Sequence, residues 1–445
     1  MGIKIGMVSL GCAKNQVDAE MMLGRLTDAG FAIVSNPTEA DVVIVNTCGF
    51  IEAAKAESIE EILEMARLKK AGRIQKILVT GCLAERYKQE IRKELPEADG
   101  VIGIGANADI VKVVRDAMDD VHPEYFPDKL LMPLSGRRVQ TTPRYYAYLK
   151  VADGCDNRCS FCAIPLIRGA FRSRPMEDVV AEARMLVKNG VRELLVIAQD
   201  TTRYGEDLYG ELMLPALLRA LAGIEELRWI RLLYCYPDKV TDELIETIAR
   251  EEKIVKYMDL PLQHCNDGLL QSMNRRCNKA EIMALIEKMR ARIPGLTLRT
   301  TFIAGLPGEG AAAFEELAQF VQAQKFERMG CFAYSPEEGT PAATMPEQVD
   351  EAVRGKRQEI LMAEQERVSA AHTASMIGKT VTVLVEGYDR TEGYWFGRSE
   401  AEAPEIDGKI FFTADGKKRT AGDFITVKIT DSLSFDLIGK QTEPR

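Results

Sequence analysis

The chain has 445 residues, 46% of them hydrophobic and 28% charged, with a formal net charge of −9. That length predicts about three domains and that composition predicts ordinary globular cores. The negative balance argues against a protein whose main task is to coat a phosphate backbone.

Ten cysteines are too few for a disulfide scaffold of this size, and no run is apolar enough to cross a bilayer. Only eight residues precede the lipoprotein-like Ser9-Leu10-Gly11-Cys12, and Gly6 stands where a myristoylation signal wants Ser or Thr. The chain is therefore read as cytoplasmic, with reduced thiols free to ligate metal.

Residues 1–120 alternate strand-like runs at 3–9, 42–46, 77–80 and 101–104 with helical patterns, which predicts an open parallel αβ sheet with helices on both faces. Cys12, Cys48 and Cys82 follow the first three strands, 36 and 34 residues apart. The binding crevice of such a sheet lies at the carboxyl ends of its strands, so three thiols are expected to converge at one edge. Each has a glycine neighbour, Gly11, Gly49 or Gly81, expected to let backbone approach an inorganic cluster. The alternative is three unrelated buried cysteines, a residue type common in interiors. Residues 121–143, with Pro123, Pro127, Pro133 and Pro143, read as a linker between domains.

Residues 144–376 carry six further strand-like runs, at 146–151, 193–198, 229–233, 257–260, 297–303 and 328–333, with helical patterns such as 176–189 and 280–292 between them. Six βα units are two short of a closed eightfold barrel. The expectation is a partial (β/α)6 barrel, trailed by a long amphipathic helix within 346–376, with its chemistry at the strand C-termini.

Directly after the first of these strands comes Gly154-Cys155-Asp156-Asn157-Arg158-Cys159-Ser160-Phe161-Cys162, a C-x3-C-x2-C spacing. Three close thiolates can hold three corners of a cubane iron–sulfur cluster and leave the fourth iron open, as a catalytic zinc site keeps a vacant position. A zinc knuckle is the alternative. It lacks a fourth ligand, and none of His122, His264 and His372 is close in sequence.

Other strand ends carry polar groups. Ala198-Gln199-Asp200 offers acceptors for an ammonium group, or else turn and capping chemistry through Asp200 and Thr201. His264 either faces the reaction cavity or is a satisfied structural histidine. Cys235, Cys265, Cys277 and Cys331 show no ligand spacing and read as packing residues.

Residues 378–445 change to five short β-rich runs, at 380–386, 394–398, 409–413, 424–429 and 436–438, which predicts a small antiparallel OB-like barrel. Residues 379–445 contain twelve acidic and ten basic side chains, with Glu400, Glu402, Glu405 and Asp407 clustered in the middle. A barrel that tracks phosphates needs a positive groove. The acidic loop suits a basic protein partner instead.

With these parts in order, the chain resembles, over essentially its full length, the methylthiotransferase branch of the radical S-adenosylmethionine (radical SAM) enzymes. The motifs Ser9-Leu10-Gly11-Cys12-Ala13-Lys14-Asn15, Asn46-Thr47-Cys48-Gly49-Phe50-Ile51 and Ala403-Pro404-Glu405-Ile406-Asp407-Gly408 look like its RimO type. That type modifies an aspartate of a small-subunit ribosomal protein.

The resemblance implies two [4Fe–4S] clusters, one on Cys155, Cys159 and Cys162 that binds SAM and a second on Cys12, Cys48 and Cys82. It also implies a C-terminal TRAM barrel, a ribosomal-protein substrate met partly through that acidic barrel, and an external electron donor. Phe161, Gln199, Asp200, Ile303 and Gly305 are the implied SAM contacts. Gln199 and Asp200 stand where the superfamily commonly has Gly-Gly-Glu. Thr301-Phe302-Ile303-Ala304-Gly305-Leu306-Pro307-Gly308-Glu309 is similar to its Gly-x-Ile-x-Gly-x-x-x-Glu element, although Thr301 departs from it and a plain strand-to-helix turn also explains Pro307 and Gly308.

The implied chemistry is removal of a hydrogen from an unactivated β-carbon by a SAM-derived radical, followed by transfer of methylthio, with no acid–base catalytic residue. Two other readings stay open: the MiaB type, which acts on isopentenyl-adenosine in transfer RNA, and an iron–sulfur electron-transfer or carrier protein.

Overall fold

The structure, a computed structural model, describes residues 2–414 and 419–443. Asp415, Lys417, Lys418 and Arg445, counted above in the charge balance, lie outside them. Six strands form the first sheet: β1 (Lys4–Ser9), β2 (Ala32–Val34), β3 (Val42–Thr47), β4 (Lys76–Gly81), β5 (Gly100–Ile102) and β6 (Glu124–Tyr125). They pair in parallel in the order β2-β1-β3-β4-β5-β6. β3 is buried at every position, as a central parallel strand covered on both faces must be.

Helix α1 (Ala13–Asp28) supplies Met22 and Leu26 to one face of this sheet, and α2 (Glu52–Lys70) supplies Ile62 and Met65 to the other. Strands β2 and β6 were not read from the sequence, because two or three residues carry no periodicity. β6 lies within the stretch read as a linker, which completes the sheet before it crosses to the next unit. On the way, Arg138 is buried beside Glu20 and Glu182.

The central unit begins with β7 (Tyr146–Lys150) and a short ribbon of β8 (Ala152–Asp153) with β9 (Arg172–Ser173). It continues through β10 (Glu193–Ile197), β11 (Trp229–Leu232), β12 (Ile254–Asp259), β13 (Thr297–Ala304) and β14 (Arg328–Ala333). The order β7-β10-β11-β12-β13-β14 is wholly parallel and open. Alternation sends Leu149, Leu194, Ile230, Met258 and Leu298 outward against the helices, and Tyr146, Tyr148, Leu195, Ile197, Trp229 and Tyr257 inward. The long helix Glu351–Ser375 lies along β14, and its Leu361 is fully buried in the outer core.

Five strands close the last unit: β15 (Thr380–Asp389), β16 (Tyr394–Arg398), β17 (Ile410–Thr413), β18 (Phe424–Ser432) and β19 (Leu437–Thr442), in the order β15-β16-β17-β19-β18. All pairs are antiparallel except β17 with β19, a neighbour relation that strand patterning does not specify. Val383, Val385, Ile410, Phe412, Val427 and Ile429 fill this barrel.

The acidic loop of this barrel folds back onto the central unit. It enters the open end of the central unit, where Tyr146, Glu193 and Arg328 begin their strands. Glu402 Oε1 accepts from Arg328 Nη2 at 2.8 Å. Glu405 accepts from the hydroxyls of Tyr146 at 2.7 Å and Tyr148 at 3.2 Å, and Asp407 accepts from the Tyr257 hydroxyl at 2.7 Å. Beside them Arg398 and Arg231 both bind Glu193, at 2.7 and 2.8 Å. The physical reason is the incomplete barrel: its inward charges are out of water and need counter-charges, and the loop supplies them.

Candidate active site

The first three cysteines converge where β1, β3 and β4 end, as strand order requires. Cys12 caps the start of α1, Cys48 follows β3 and Cys82 opens the short helix Cys82–Arg86. Their glycines also sit where the loops meet. A Cβ at Gly11 would lie 2.7 Å from Cys48 Sγ, one at Gly49 2.7 Å from Leu83 backbone, and one at Gly81 2.4 Å from the Thr47 carbonyl. The glycines let the three loops crowd one another, which is what brings the thiols together.

The second trio hangs on the loop between β8 and β9. Gly154, at φ +79°, turns the chain there, and a Cβ on it would meet the Ala170 carbonyl at 2.0 Å, so only glycine fits. Asn157 ties the loop down: its Nδ2 donates to Asp200 Oδ2 at 2.7 Å, while Thr202 donates to the other oxygen at 2.5 Å. Cys159 Sγ lies 2.9 Å from the Tyr236 hydroxyl. The Arg275 guanidinium stacks 3.8 Å above the Tyr236 ring and approaches the same sulfur at 3.9 Å.

The two trios adjoin. Cys82 packs against Ala163 and Ile167, just beyond Cys162. Arg168 Nη2 reaches Cys82 Sγ at 3.5 Å and Asn15 Oδ1 at 3.3 Å, while its Nη1 bonds Asp18 at 2.6 Å and Asp153 at 2.9 Å. Lys150 binds the same two carboxylates. Asp153 Oδ1 then accepts from the Gly154 amide at 2.7 Å and from Gln199 Nε2 at 3.1 Å. One buried network thus runs from the first cysteine trio to the loop of the second. A further clamp is Glu337, which accepts from the Glu52 amide at 3.0 Å and from Arg86 at 2.8 Å.

Burial, with Cys12 adding, pushes the Cys48 thiol up. Burial also pushes the Cys82 thiol up to about 12 against the opposing Arg168 charge, Cys155 to about 11, and Cys162 upward. These four thiols, when bare, are protonated near neutrality, so a metal group must displace their protons to bind. Among the described residues no three His, Cys, Asp or Glu side chains gather closely enough to chelate one metal ion, the arrangement zinc needs. A cubane offers each thiolate its own iron, so it does not need three thiols converging on a single ion.

The groups expected to contact SAM separate on inspection. Gln199 Oε1 is a buried acceptor without a partner, as an incoming ammonium would require. Phe161 and Ile303 meet in one apolar cluster with Met273, Leu306 and Tyr334, where the Tyr334 hydroxyl is also unpartnered. Asp200 is spent on Asn157 and Thr202. Gly305 makes room for Arg354, whose Cγ would lie 2.1 Å from an added Cβ, and its amide donates to Glu309 at 2.9 Å.

His264 is fully buried; its Nδ1 accepts from the Asn266 amide at 3.0 Å, while its Nε2 lies 3.5 Å from Glu309 Oε2 and makes no hydrogen bond among the described residues. Cys235, Cys265 and Cys331 are buried packing residues, and Cys277 is partly so. Sequence reasoning missed Arg168, Tyr236 and Arg275, and quoted Lys14 only as part of a motif. Their nearness to cysteines in sequence was the available signal for Arg168 and Lys14, but partners come from distant elements.

Residues 4–103 match the Uncharacterized protein family UPF0004, 149–321 the Radical SAM superfamily and 377–441 the TRAM domain. A protein named ribosomal protein uS12 methylthiotransferase RimO, from Thermoanaerobacter sp. (strain X514), is 50% identical over 98% of this chain and 99% of its own length. Its namesake from Pelotomaculum thermopropionicum is 50% identical over 99% of each, and that from Geobacter sulfurreducens 48% over 98% of each. The chain belongs to the RimO family of radical SAM methylthiotransferases.

Membership in the superfamily implies SAM and a [4Fe–4S] cluster. Among solved structures, the radical SAM methyltransferase TsrM from Kitasatospora setae aligns with a TM-score of 0.55 at 14% identity, covering 77% of each chain. The cobalamin-dependent enzyme OxsB aligns at 0.51 and 12% identity, over 81% of this chain and 56% of its own. These share the fold. Among the described residues no helix is long and apolar enough to cross a membrane.

Proposed function

We propose that the chain transfers a methylthio group to the β-carbon of an aspartate in small-subunit ribosomal protein uS12, using SAM and two [4Fe–4S] clusters. The observation that carries this is two cysteine trios on adjoining loops of one barrel mouth, Cys82 packed against Ala163, in a chain half identical to RimO proteins throughout. Cys155, Cys159 and Cys162 hold the SAM-binding cluster, and Cys12, Cys48 and Cys82 hold the second. Gln199 Oε1 takes the SAM ammonium, and Phe161 and Ile303 flank its adenosine. Asp200 and Gly305, placed among the contacts by motif, act one step back, bracing the cysteine loop and seating the helix that carries Arg354.

When bound, the clusters and SAM supply hydrogen abstraction from an unactivated carbon, the sulfur and the methyl group. The chain's own residues position and tune. Arg168 and Tyr236 donate toward cysteine sulfurs, a lever on cluster potential. The networks at Asp18 and Glu337 hold the two loops face to face, so that a substrate carbon can sit between them. The enzyme works in the cytoplasm with an external electron donor. It meets its basic partner partly through the acidic residues that the plug leaves exposed on the C-terminal barrel, such as Glu392 and Asp431.

The test is anaerobic turnover of the reduced, reconstituted enzyme with uS12, followed by peptide mass mapping. Methylthio on an aspartate is expected. Modification of transfer RNA in place of uS12 would move the chain to the MiaB type. A complete lack of 5′-deoxyadenosine under dithionite would leave an electron carrier.

A further inference from the structure

Lys14 lies two residues beyond Cys12, in the first turn of α1. It is 6% exposed, and its ammonium sits 3.0 Å over the centroid of the Tyr234 ring. Among the described residues it makes no hydrogen bond or ion pair. Arg275, over the Tyr236 ring, also lacks a carboxylate among the described residues but has the Pro261 carbonyl at 2.5 Å, and five other buried cations are treated differently. Lys150, Arg168, Arg174, Arg231 and Arg398 each face a carboxylate, as a charge withdrawn from water must. Lys14 has only an aromatic face, a partial substitute.

The platform beneath it is rigid. Tyr234 follows β11 in a left-handed conformation, φ 61°. Its amide donates to Asp259 at 3.0 Å and its carbonyl accepts from the Thr201 amide at 2.9 Å. That places the ring at the barrel mouth, beside the loop that carries Gln199. The lysine therefore bridges the first cysteine trio and the mouth with its charge unanswered.

We propose that Lys14 binds the side-chain carboxylate of the target aspartate and makes the enzyme select aspartate over asparagine. The inference rests on the functional reading above and names the group by which its substrate is held. In aspartate the carboxylate is bonded to the β-carbon itself, so a cation that fixes the carboxylate also fixes the reacting atom. A neutral amide at the same place would leave the ammonium buried and unpaired.

The experiment uses reconstituted holoenzyme without reductant, so that binding is read apart from turnover. A fluorescent uS12 peptide carrying the aspartate, and the same peptide with asparagine, are titrated by anisotropy against wild type, Lys14→Met and Lys14→Arg, all checked for equal iron content. Wild type should bind the aspartate peptide at least about tenfold more tightly than the asparagine peptide. In Lys14→Met that ratio should fall to near one through loss on the aspartate peptide alone, and Lys14→Arg should restore part of it.

Equal weakening of both peptides in Lys14→Met, or an absence of discrimination in wild type, overturns the proposal. So does weaker binding of radiolabelled SAM by Lys14→Met, which would assign the ammonium to the SAM carboxylate. If wild type discriminates the peptides but modifies neither when reduced, the functional reading fails while the charge preference stands.

Discussion

The two ends of the central partial barrel are both polar, both buried and built from the same strands, yet they differ in how their charges are met. At the end where the strands begin, Glu193 is held by Arg231 and Arg398, Arg328 by Glu402, and the tyrosines by Glu405 and Asp407. At the end where the strands finish, among the described residues, Gln199 Oε1 has no hydrogen-bond partner, Lys14 has no anion and six thiols stand in two groups. The first end is a closed structure, and the second is where the proposed site lies. Buried polarity alone does not distinguish them, and Arg328 Nη1 makes no hydrogen bond among the described residues; what differs is that Glu193, Arg231, Arg398 and Arg328 each face an opposite charge, whereas Lys14 does not.

The sharpest way to break this contrast is at the open end. Cys159→Ala should abolish SAM cleavage and remove roughly half of about eight irons, a cubane carrying four. The N-terminal cluster should remain, as judged by iron analysis and low-temperature spectroscopy of the anaerobic protein. A wild type that never holds more than one cluster's worth of iron would disprove the second trio.

At the closed end the expected effect is on stability. Glu193→Gln leaves two arginines without their charge and should cost about 3–5 kcal/mol, seen as a lower unfolding midpoint with clusters intact at low temperature. Burial raises the Glu193 carboxyl, but Arg398 and Arg231 outweigh it and hold the group below its ordinary 4.5. The stability it brings is therefore complete above that ordinary value and is lost as pH falls through the folded one. Wild type should show this acid limb and Glu193→Gln should not.

Arg168 joins the two ends of the comparison, because it is fully paired and also touches a cysteine. Arg168→Lys keeps the charge and loses the contact to Cys82 Sγ. It should lower the potential of the N-terminal cluster, measured in a Cys159→Ala background, because hydrogen bonds to sulfur favour the reduced state. An unchanged potential would make Arg168 purely structural.

The smallest effect is at His372, on the helix beside the C-terminal barrel. Burial first, then the Arg328 charge, lowers its pKa below 6.5. Its share of stability is present above the ordinary value and erodes as pH drops toward the folded one. His372→Gln should flatten a slight slope in midpoint just below pH 6.5.

Much of this architecture was legible in the chain. Cys12, Cys48 and Cys82 were placed by strand order alone, and the C-x3-C-x2-C loop by spacing, because both are local patterns in a known topology. The roles of Glu402, Glu405 and Asp407 were not legible. Their charge was visible, but their partners stand from 74 to over 250 residues away, and composition does not report pairing. The same limit hid Lys14, whose charge has no partner among the described residues, and the loop-to-loop contacts that Gly11, Gly49 and Gly81 permit.

The plug has a consequence for biosynthesis. Domains fold as the chain emerges, N-terminal parts first, yet the lumen of the middle unit receives its counter-charges from residues 398–407. On the ribosome the barrel must wait, with Glu193 met by Arg231 alone and Arg328 without its carboxylate, until residues 398–407 are translated. A message cut short before that loop yields a product that carries every cysteine and still has no finished interior.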